Sequence, residues 1–166
     1  MSGSTEVLNH QQVSNRIERI SWQIFEEFSG EKEVILTGIA DRGYLLAEKI
    51  FKHLQEISDI EVKISKLSFD KDNALDSEYS LNPAVELENA NIVLVDDVLK
   101  SGGTLIYGVR YFLNFRIKSM KTVVLVDRNH KRYPVKADFK GLSLSTSMQE
   151  HVSVEIEKEP FSVTVS

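Results

Sequence analysis

The sequence predicts an α/β domain built on a central, mostly parallel sheet flanked by helices. Ile92-Val93-Leu94-Val95 is an unbroken branched apolar run, the pattern of a strand covered on both faces. Val34 to Thr37 and Lys121 to Val126 are two further runs of this kind. Each is followed by a loop, and the first two then lead into apolar residues at helical spacing, the alternation expected around a parallel sheet. The 166 residues suit one domain with one core, so 1–166 is read as a single unit.

In order along the chain, Val13, Ile17, Ile20, Ile24 and Phe28 form the stripe of an amphipathic helix over about residues 10–28, ended by Gly30. Trp22 and Phe25 lie partly off that stripe and are expected to broaden its buried face. Val34–Thr37 runs into Gly38-Ile39-Ala40-Asp41-Arg42-Gly43, read as a loop, and Tyr44 to Ile57 reads as a helix with Leu45, Leu46, Ile50 and Leu54 inward. A loop with glycine at both ends can approach an anion closely, and the Arg42 fork matches phosphate oxygens. Val62, Ile64 and Leu67 predict another strand. Ser68 to Pro83 is polar and aperiodic, long enough for a lid, and Glu86 to Asn89 is expected to be a solvated connection. Leu105, Val109, Phe112 and Leu113 give the inward stripe of a helix through about Phe115. A basic run, Asp127 to Gly141, follows the Lys121–Val126 strand. Val152, Val154 and Ile156 alternate as an antiparallel strand does, and the tail after Pro160 predicts one more.

The chemistry concentrates in residues 92–104. Asp96 and Asp97 are expected at the carboxyl end of their strand, where open α/β sheets bind ligands. Two adjacent carboxylates there can accept from a vicinal diol or help hold a hydrated divalent cation. Ser101-Gly102-Gly103-Thr104 then opens a helix, a turn whose amides can close around a phosphate. Rival chemistries lack their residues: there is no cysteine, the histidines at 10, 53, 130 and 151 have no ligand spacing, and neither Gly-x-x-x-x-Gly-Lys-Ser/Thr nor Gly-x-Gly-x-x-Gly occurs. A net charge of −5 argues against a uniformly basic nucleic-acid binder. No apolar run approaches membrane-spanning length, so a cytoplasmic protein without a membrane partner is expected.

The stretch Asp96-Asp97-Val98-Leu99-Lys100-Ser101-Gly102-Gly103-Thr104 resembles the phosphoribosyl pyrophosphate (PRPP) signature of the type I phosphoribosyltransferases, with every defining position filled. Val126, Asp127, Arg128, His130, Pro134, Ala137, Asp138, Gly141 and Thr146-Ser147 narrow the resemblance to the bifunctional pyrimidine operon attenuator and uracil phosphoribosyltransferase family. That resemblance implies the type I phosphoribosyltransferase fold, a lid over about 68–84 and a small C-terminal hood over about 127–166. It implies Mg²⁺, PRPP and a nucleobase, uracil preferred, with a homodimer or larger assembly. Asp96, Asp97 and Arg42 would be catalytic, with Asp96 and Asp97 also facing the metal, directly or through water. Val98, Leu99, Lys100, Ser101, Gly102, Gly103 and Thr104 would hold the 5′-phosphate. Ala40, Asp41, Arg42, Gly43 and Arg128 would hold pyrophosphate, and Asp127, Phe139 and Lys140 would face the base.

The sequence departs from the family at two places. Asp41 puts a like charge beside the anion, and the lid carries Phe69-Asp70-Lys71-Asp72 without the family's arginine; Lys100 stands where purine-type relatives place an aspartate, which disfavours a hypoxanthine/guanine enzyme of that kind. Two alternatives stay open, an RNA-binding regulator of pyrimidine genes that senses PRPP or nucleotide, and a hypoxanthine, guanine or xanthine phosphoribosyltransferase. On the first helix Arg16 and Arg19 are offset by Glu18, Glu26 and Glu27, which gives RNA binding little support.

Overall fold

A computed structural model describes residues 3–166. The main sheet has six strands in the order β4-β3-β2-β5-β6-β7. Their ranges are β2 Glu33–Ile39, β3 Glu61–Ser68, β4 Ser80–Asn82, β5 Asn91–Leu99, β6 Ser119–Asp127 and β7 Phe139–Ser143. All neighbours pair in parallel except the edge strand β4, which runs antiparallel to β3. β1 (Thr5–Leu8), β9 (Ser162–Val165) and β8 (Val152–Glu155) form a separate antiparallel sheet in the order β1-β9-β8.

Helices α1 (His10–Phe28) and α2 (Ala40–Ile57) cover one face of the main sheet, and α3 (Gly103–Phe112) covers the other. On the first face Val13, Ile17, Ile20 and Ile24 meet Leu46, Ile50 and Leu54 over Val93, Val95 and Leu125. The small sheet adds Val152, Val154 and Val163 to that same core. On the second face Leu105 and Phe112 pack on Ile35, Ile92, Leu94 and Val124. The central strands carry branched apolar residues without alternation because both their faces are covered. Among the described residues no helix is long and apolar enough to cross a membrane.

The connections place the site. From β2 the chain crosses through α2 to β3 on one side, and from β5 it crosses through α3 to β6 on the other. The strand order therefore reverses between β2 and β5, and a crevice opens at their carboxyl ends.

Several boundaries differ from the sequence reading. The expected loop at 38–43 is tighter, because β2 runs through Ile39 and α2 begins at Ala40, which adopts a left-handed φ of 52°. The two glycines serve packing: a Cβ on Gly38 would lie 2.3 Å from the Tyr44 Cα, and one on Gly43 would lie 2.5 Å from the Val95 carbonyl. The 68–84 stretch is a β3–β4 hairpin with a single 3-10 turn, Lys71–Asn73, at its tip. α3 ends at Phe112, leaving Leu113 67% exposed, since the chain there turns back toward β6. Trp22 is 43% exposed, its edge against Phe25, which packs on the core. Leu87 is buried in the supposed solvated connection. Residues 139–143 join the main sheet, so the small sheet starts later than 127 and recruits β1 from the other end of the chain.

Candidate functional site

β5 carries the acidic pair to the crevice. Asp96 is buried, 4% exposed, and Asp97 follows half-buried. The Asp97 amide donates to the Asp96 Oδ1 at 2.9 Å and the Val98 amide donates to the Asp97 Oδ1 at 2.8 Å, fixing both carboxylates against the backbone. Burial pushes the Asp96 carboxyl up to about 8, the neighbouring Asp97 charge adds to the rise, and the Lys71 ammonium opposes it.

Two helix starts flank this pair. α3 begins after Gly102, whose φ of 85° is left-handed and whose Cβ, if present, would sit 2.6 Å from the Val135 Cγ1. The first intrahelical bond runs from the Ile106 amide to the Gly102 carbonyl at 2.9 Å, so the Thr104 and Leu105 amides precede it. No side chain caps this terminus in the manner of Asn9 at α1; the Ser101 hydroxyl instead accepts from the Gly103 amide at 3.2 Å. The Arg132 and Tyr133 amides grip the Ser101 carbonyl at 2.7 and 3.2 Å, which shapes the turn from behind. Asp96, Val98, Leu99, Lys100, Ser101, Gly102 and Thr104 line a cavity of about 60 Å³ there, and Lys100 itself is exposed.

α2 is the second start, also without a side-chain cap. Arg42 in its first turn places Nε 3.4 Å from the Asp97 Oδ2 and donates through a terminal nitrogen to the Val154 carbonyl of β8. One guanidinium thus joins the acidic pair to the small sheet. Asp41 turns away: its side chain is 89% exposed and its Oδ1 pairs with the Lys66 Nζ at 2.9 Å. The like charge that fits poorly beside an anion is neutralised at the rim, where it also complements the positive end of α2.

At the end of β6, Asp127 is buried and its Oδ2 lies 3.5 Å from the Lys140 Nζ and 3.7 Å from the Lys131 Nζ. Two expected site residues are placed elsewhere. Arg128 is 2% exposed; its Nε donates to the Thr146 Oγ1 at 3.0 Å, and a terminal nitrogen reaches the Ser147 and Glu150 carbonyls. It anchors the 144–150 segment instead of facing an anion. Phe139 pairs with Val123, four residues before Asp127, and its ring packs on the α1/α2 core. The β7 residue level with Asp127 is Ser143. Lys66, Val135 and the Val154 carbonyl went unread because all three reach the site through tertiary contacts; only the parallel register of β2 and β3 sets Lys66 beside the α2 start.

The phosphoribosyl transferase domain family matches residues 3–159. The bifunctional protein PyrR of Enterococcus faecalis is 31% identical over 160 residues, covering 92% of this chain and 90% of that protein. The bifunctional protein PyrR of Haemophilus ducreyi is 33% identical over 159 residues, covering 91% and 89%. Among solved structures, a hypoxanthine-guanine phosphoribosyltransferase of Bacillus anthracis superposes with a TM-score of 0.78 at 17% identity, covering 97% of each chain. The hypoxanthine phosphoribosyltransferase of Trypanosoma cruzi gives 0.79 at 16% identity, covering 97% and 95%. Those structures share the α/β architecture, with its mostly parallel sheet flanked by helices. With an acidic pair between two helix starts and a family match over nearly its whole length, the chain belongs to the phosphoribosyl transferase domain family and is a phosphoribosyltransferase.

Proposed function

We propose that the protein transfers the 5-phosphoribosyl group from PRPP to a nucleobase, uracil preferred, and releases pyrophosphate. The observation that carries this is the pair of helix starts without side-chain caps on either side of Asp96 and Asp97. Each offers amides and a positive dipole end to an anion, while the carboxylates between them suit a ribose diol. In this reading the α3 turn, Lys100 to Thr104, holds the 5′-phosphate. The α2 turn, Ala40 to Gly43, holds the pyrophosphate, with the Arg42 guanidinium swinging from Asp97 to the phosphate oxygens. Asp97 and Asp96 accept from the ribose hydroxyls. The bond from the anomeric carbon to the pyrophosphate oxygen breaks, a base nitrogen bonds that carbon, and its proton leaves to solvent. The chain's contribution is to position both substrates and to neutralise the leaving group.

Mg²⁺ fits this site. Burial and the Asp97 charge keep a proton on Asp96, and a divalent cation beside the pair would favour releasing it. Among the described residues no three His, Cys, Asp or Glu converge, so the cation would be shared with waters and substrate oxygens. When bound it neutralises charge on the departing pyrophosphate. Asp127 and Lys140 remain the candidates for the base. Lys100 supports a pyrimidine, because a protonated lysine cannot accept from a purine ring nitrogen.

The test is pyrophosphate release from PRPP and Mg²⁺ across uracil, hypoxanthine, guanine, xanthine, adenine and orotate, with a no-base control and with Asp97→Asn. Turnover with uracil that Asp97→Asn abolishes is expected. Turnover retained by that variant overturns the ribose assignment, and turnover with a purine alone overturns the base. A second reading, an RNA-binding regulator, draws on the name of the PyrR relatives, which calls them bifunctional. The basic residues of α1 are poorly placed for it: Arg16 and Arg19 donate to the Lys140 and Gly141 carbonyls at 2.8–3.0 Å.

A further inference from the structure

The start of α2 carries a charge pair whose two members come from different elements. Side chains along β3 alternate, with Ile64 packed on the α1/α2 core and Leu67 buried in the opposite one. Lys66, two residues after Ile64, shares its face, the one that α2 covers. In the parallel register Lys66 lies level with Gly38 of β2. The first turn of α2 folds back onto that glycine, since a Cβ on Gly38 would lie 2.3 Å from the Tyr44 Cα. Strand pairing thus sets Lys66 beside the turn.

The ammonium meets two residues there. The Lys66 Nζ donates to the Asp41 Oδ1 at 2.9 Å and lies 5.7 Å from the centroid of the Tyr44 ring. Asp41 and Tyr44 are three residues apart, neighbours on one face of the helix. Asp41 is also the acidic residue of the first turn, at a helix start without a side-chain cap. Its carboxylate competes for the same positive end that an anion would use, and it repels an anion arriving there. Lys66 offsets that charge. The next residue, Arg42, faces the other way, with its Nε 3.4 Å from the Asp97 Oδ2.

Resting on the phosphoribosyl transfer reading above, we propose that Asp41 and Lys66 form a charge-compensating pair that sets the affinity of the α2 turn for pyrophosphate. Lys66 is then a positioning residue that acts through Asp41 without touching substrate. Affinity follows the summed charge of the two side chains, and the lysine matters most while the aspartate is present.

The test is a double-mutant cycle of Lys66→Met and Asp41→Asn, with Lys66→Arg as the charge-keeping control. Two quantities are read, binding of inorganic pyrophosphate with Mg²⁺ by titration calorimetry and KM for PRPP. Lys66→Met is expected to weaken the first and raise the second by about three- to tenfold at low ionic strength, with KM for the base unchanged. Added salt narrows the gap, because the Asp41 side chain is solvated. Asp41→Asn leaves the lysine charge in excess and binds pyrophosphate more tightly than wild type. Adding Asp41→Asn to Lys66→Met recovers most of the loss, and Lys66→Arg shows none. Thermal unfolding moves little in any variant, as expected of an exposed ion pair, which separates the charge effect from a folding defect.

Wild-type pyrophosphate affinity in Lys66→Met overturns the proposal. So does a double variant as weak as Lys66→Met, which would make Lys66 a pyrophosphate ligand in its own right. If the transfer reading alone fails, no base turns over, and the pyrophosphate titrations still decide the role of the pair. A wild-type protein that binds no pyrophosphate overturns both.

Discussion

Asp96 is a residue whose ionisation works against folding. Its carboxyl is raised from 3.8 to about 8, so between those values the folded state holds a proton that the unfolded chain releases. Stability contributed at this position is therefore present at low pH and is lost as pH rises toward 8. Asp96→Asn stays neutral throughout. It is expected to come nearest to wild type near pH 4 and to exceed it by on the order of 1–3 kcal/mol at pH 8, a few degrees in Tm, while losing PRPP binding. Thermal melts at the two pH values check this; equal shifts at both would show that Asp96 is ionised throughout. Arg128 works in the opposite sense. Replacing it with Met leaves the Thr146 hydroxyl and the Ser147 and Glu150 carbonyls without their donor, which should cost about 1–3 kcal/mol in denaturant unfolding. Faster hydrogen exchange should be confined to 144–151, and a loss confined to pyrophosphate affinity would contradict the anchoring role. Sequence pattern placed Arg128 beside the site, and no local pattern tells a buried anchor from an exposed anion ligand. Asp41 carried the converse problem, since its partner Lys66 lies on β3, distant in sequence from the α2 start.

At the scale of elements, the β5–α3 unit was legible in kind and order, although β5 runs from Asn91 to Leu99, past the Ile92–Val95 run, and α3 stops at Phe112. Its strand is apolar without alternation, its turn holds paired glycines, and its helix starts where the turn chemistry ends. Gly102→Ala tests that turn. The substitution forces a Cβ onto Val135 at a left-handed φ, and a loss of about 1–3 kcal/mol is expected together with weaker PRPP binding. Titration calorimetry with PRPP and Mg²⁺ reads the second effect; unchanged affinity would free the Gly102 turn from the phosphate role. Other elements were less legible for physical reasons. The 38–43 segment reads as a loop because glycine breaks periodicity, yet those glycines let α2 start directly against the β5 backbone. β4 has only three residues, too few for alternation to show, and it exists by pairing with β3. β7 begins inside a charged run because its two outer neighbours are α1 and solvent, so its pattern is mixed.

Across the whole molecule, the six-stranded sheet could be read in class and in most of its order, because its central strands advertise their burial. The three-stranded sheet could be read only in part. Val152, Val154 and Ile156 alternate visibly, whereas Thr5 to Leu8 offers a single buried residue, Leu8. Its place depends on pairing with β9, Thr5 against Val165 and Glu6 against Thr164, and on Leu8 packing in the main core. Deleting residues 3–8 should bare one edge of β9 and lower Tm by several degrees. Hydrogen exchange should quicken in 152–165 first, and an unchanged pattern there would show that β8 and β9 hold together alone.

The pairing of β1 with β9 also orders events in time. A ribosome makes Thr5–Leu8 long before it makes Ser162–Val165, so the first strand waits through the synthesis of the entire larger sheet before it finds its partner. Until then β9 has one antiparallel neighbour, β8, and its other edge is open. A nascent chain halted after β7 would carry the α2 and α3 turns without the Val154 carbonyl that Arg42 meets.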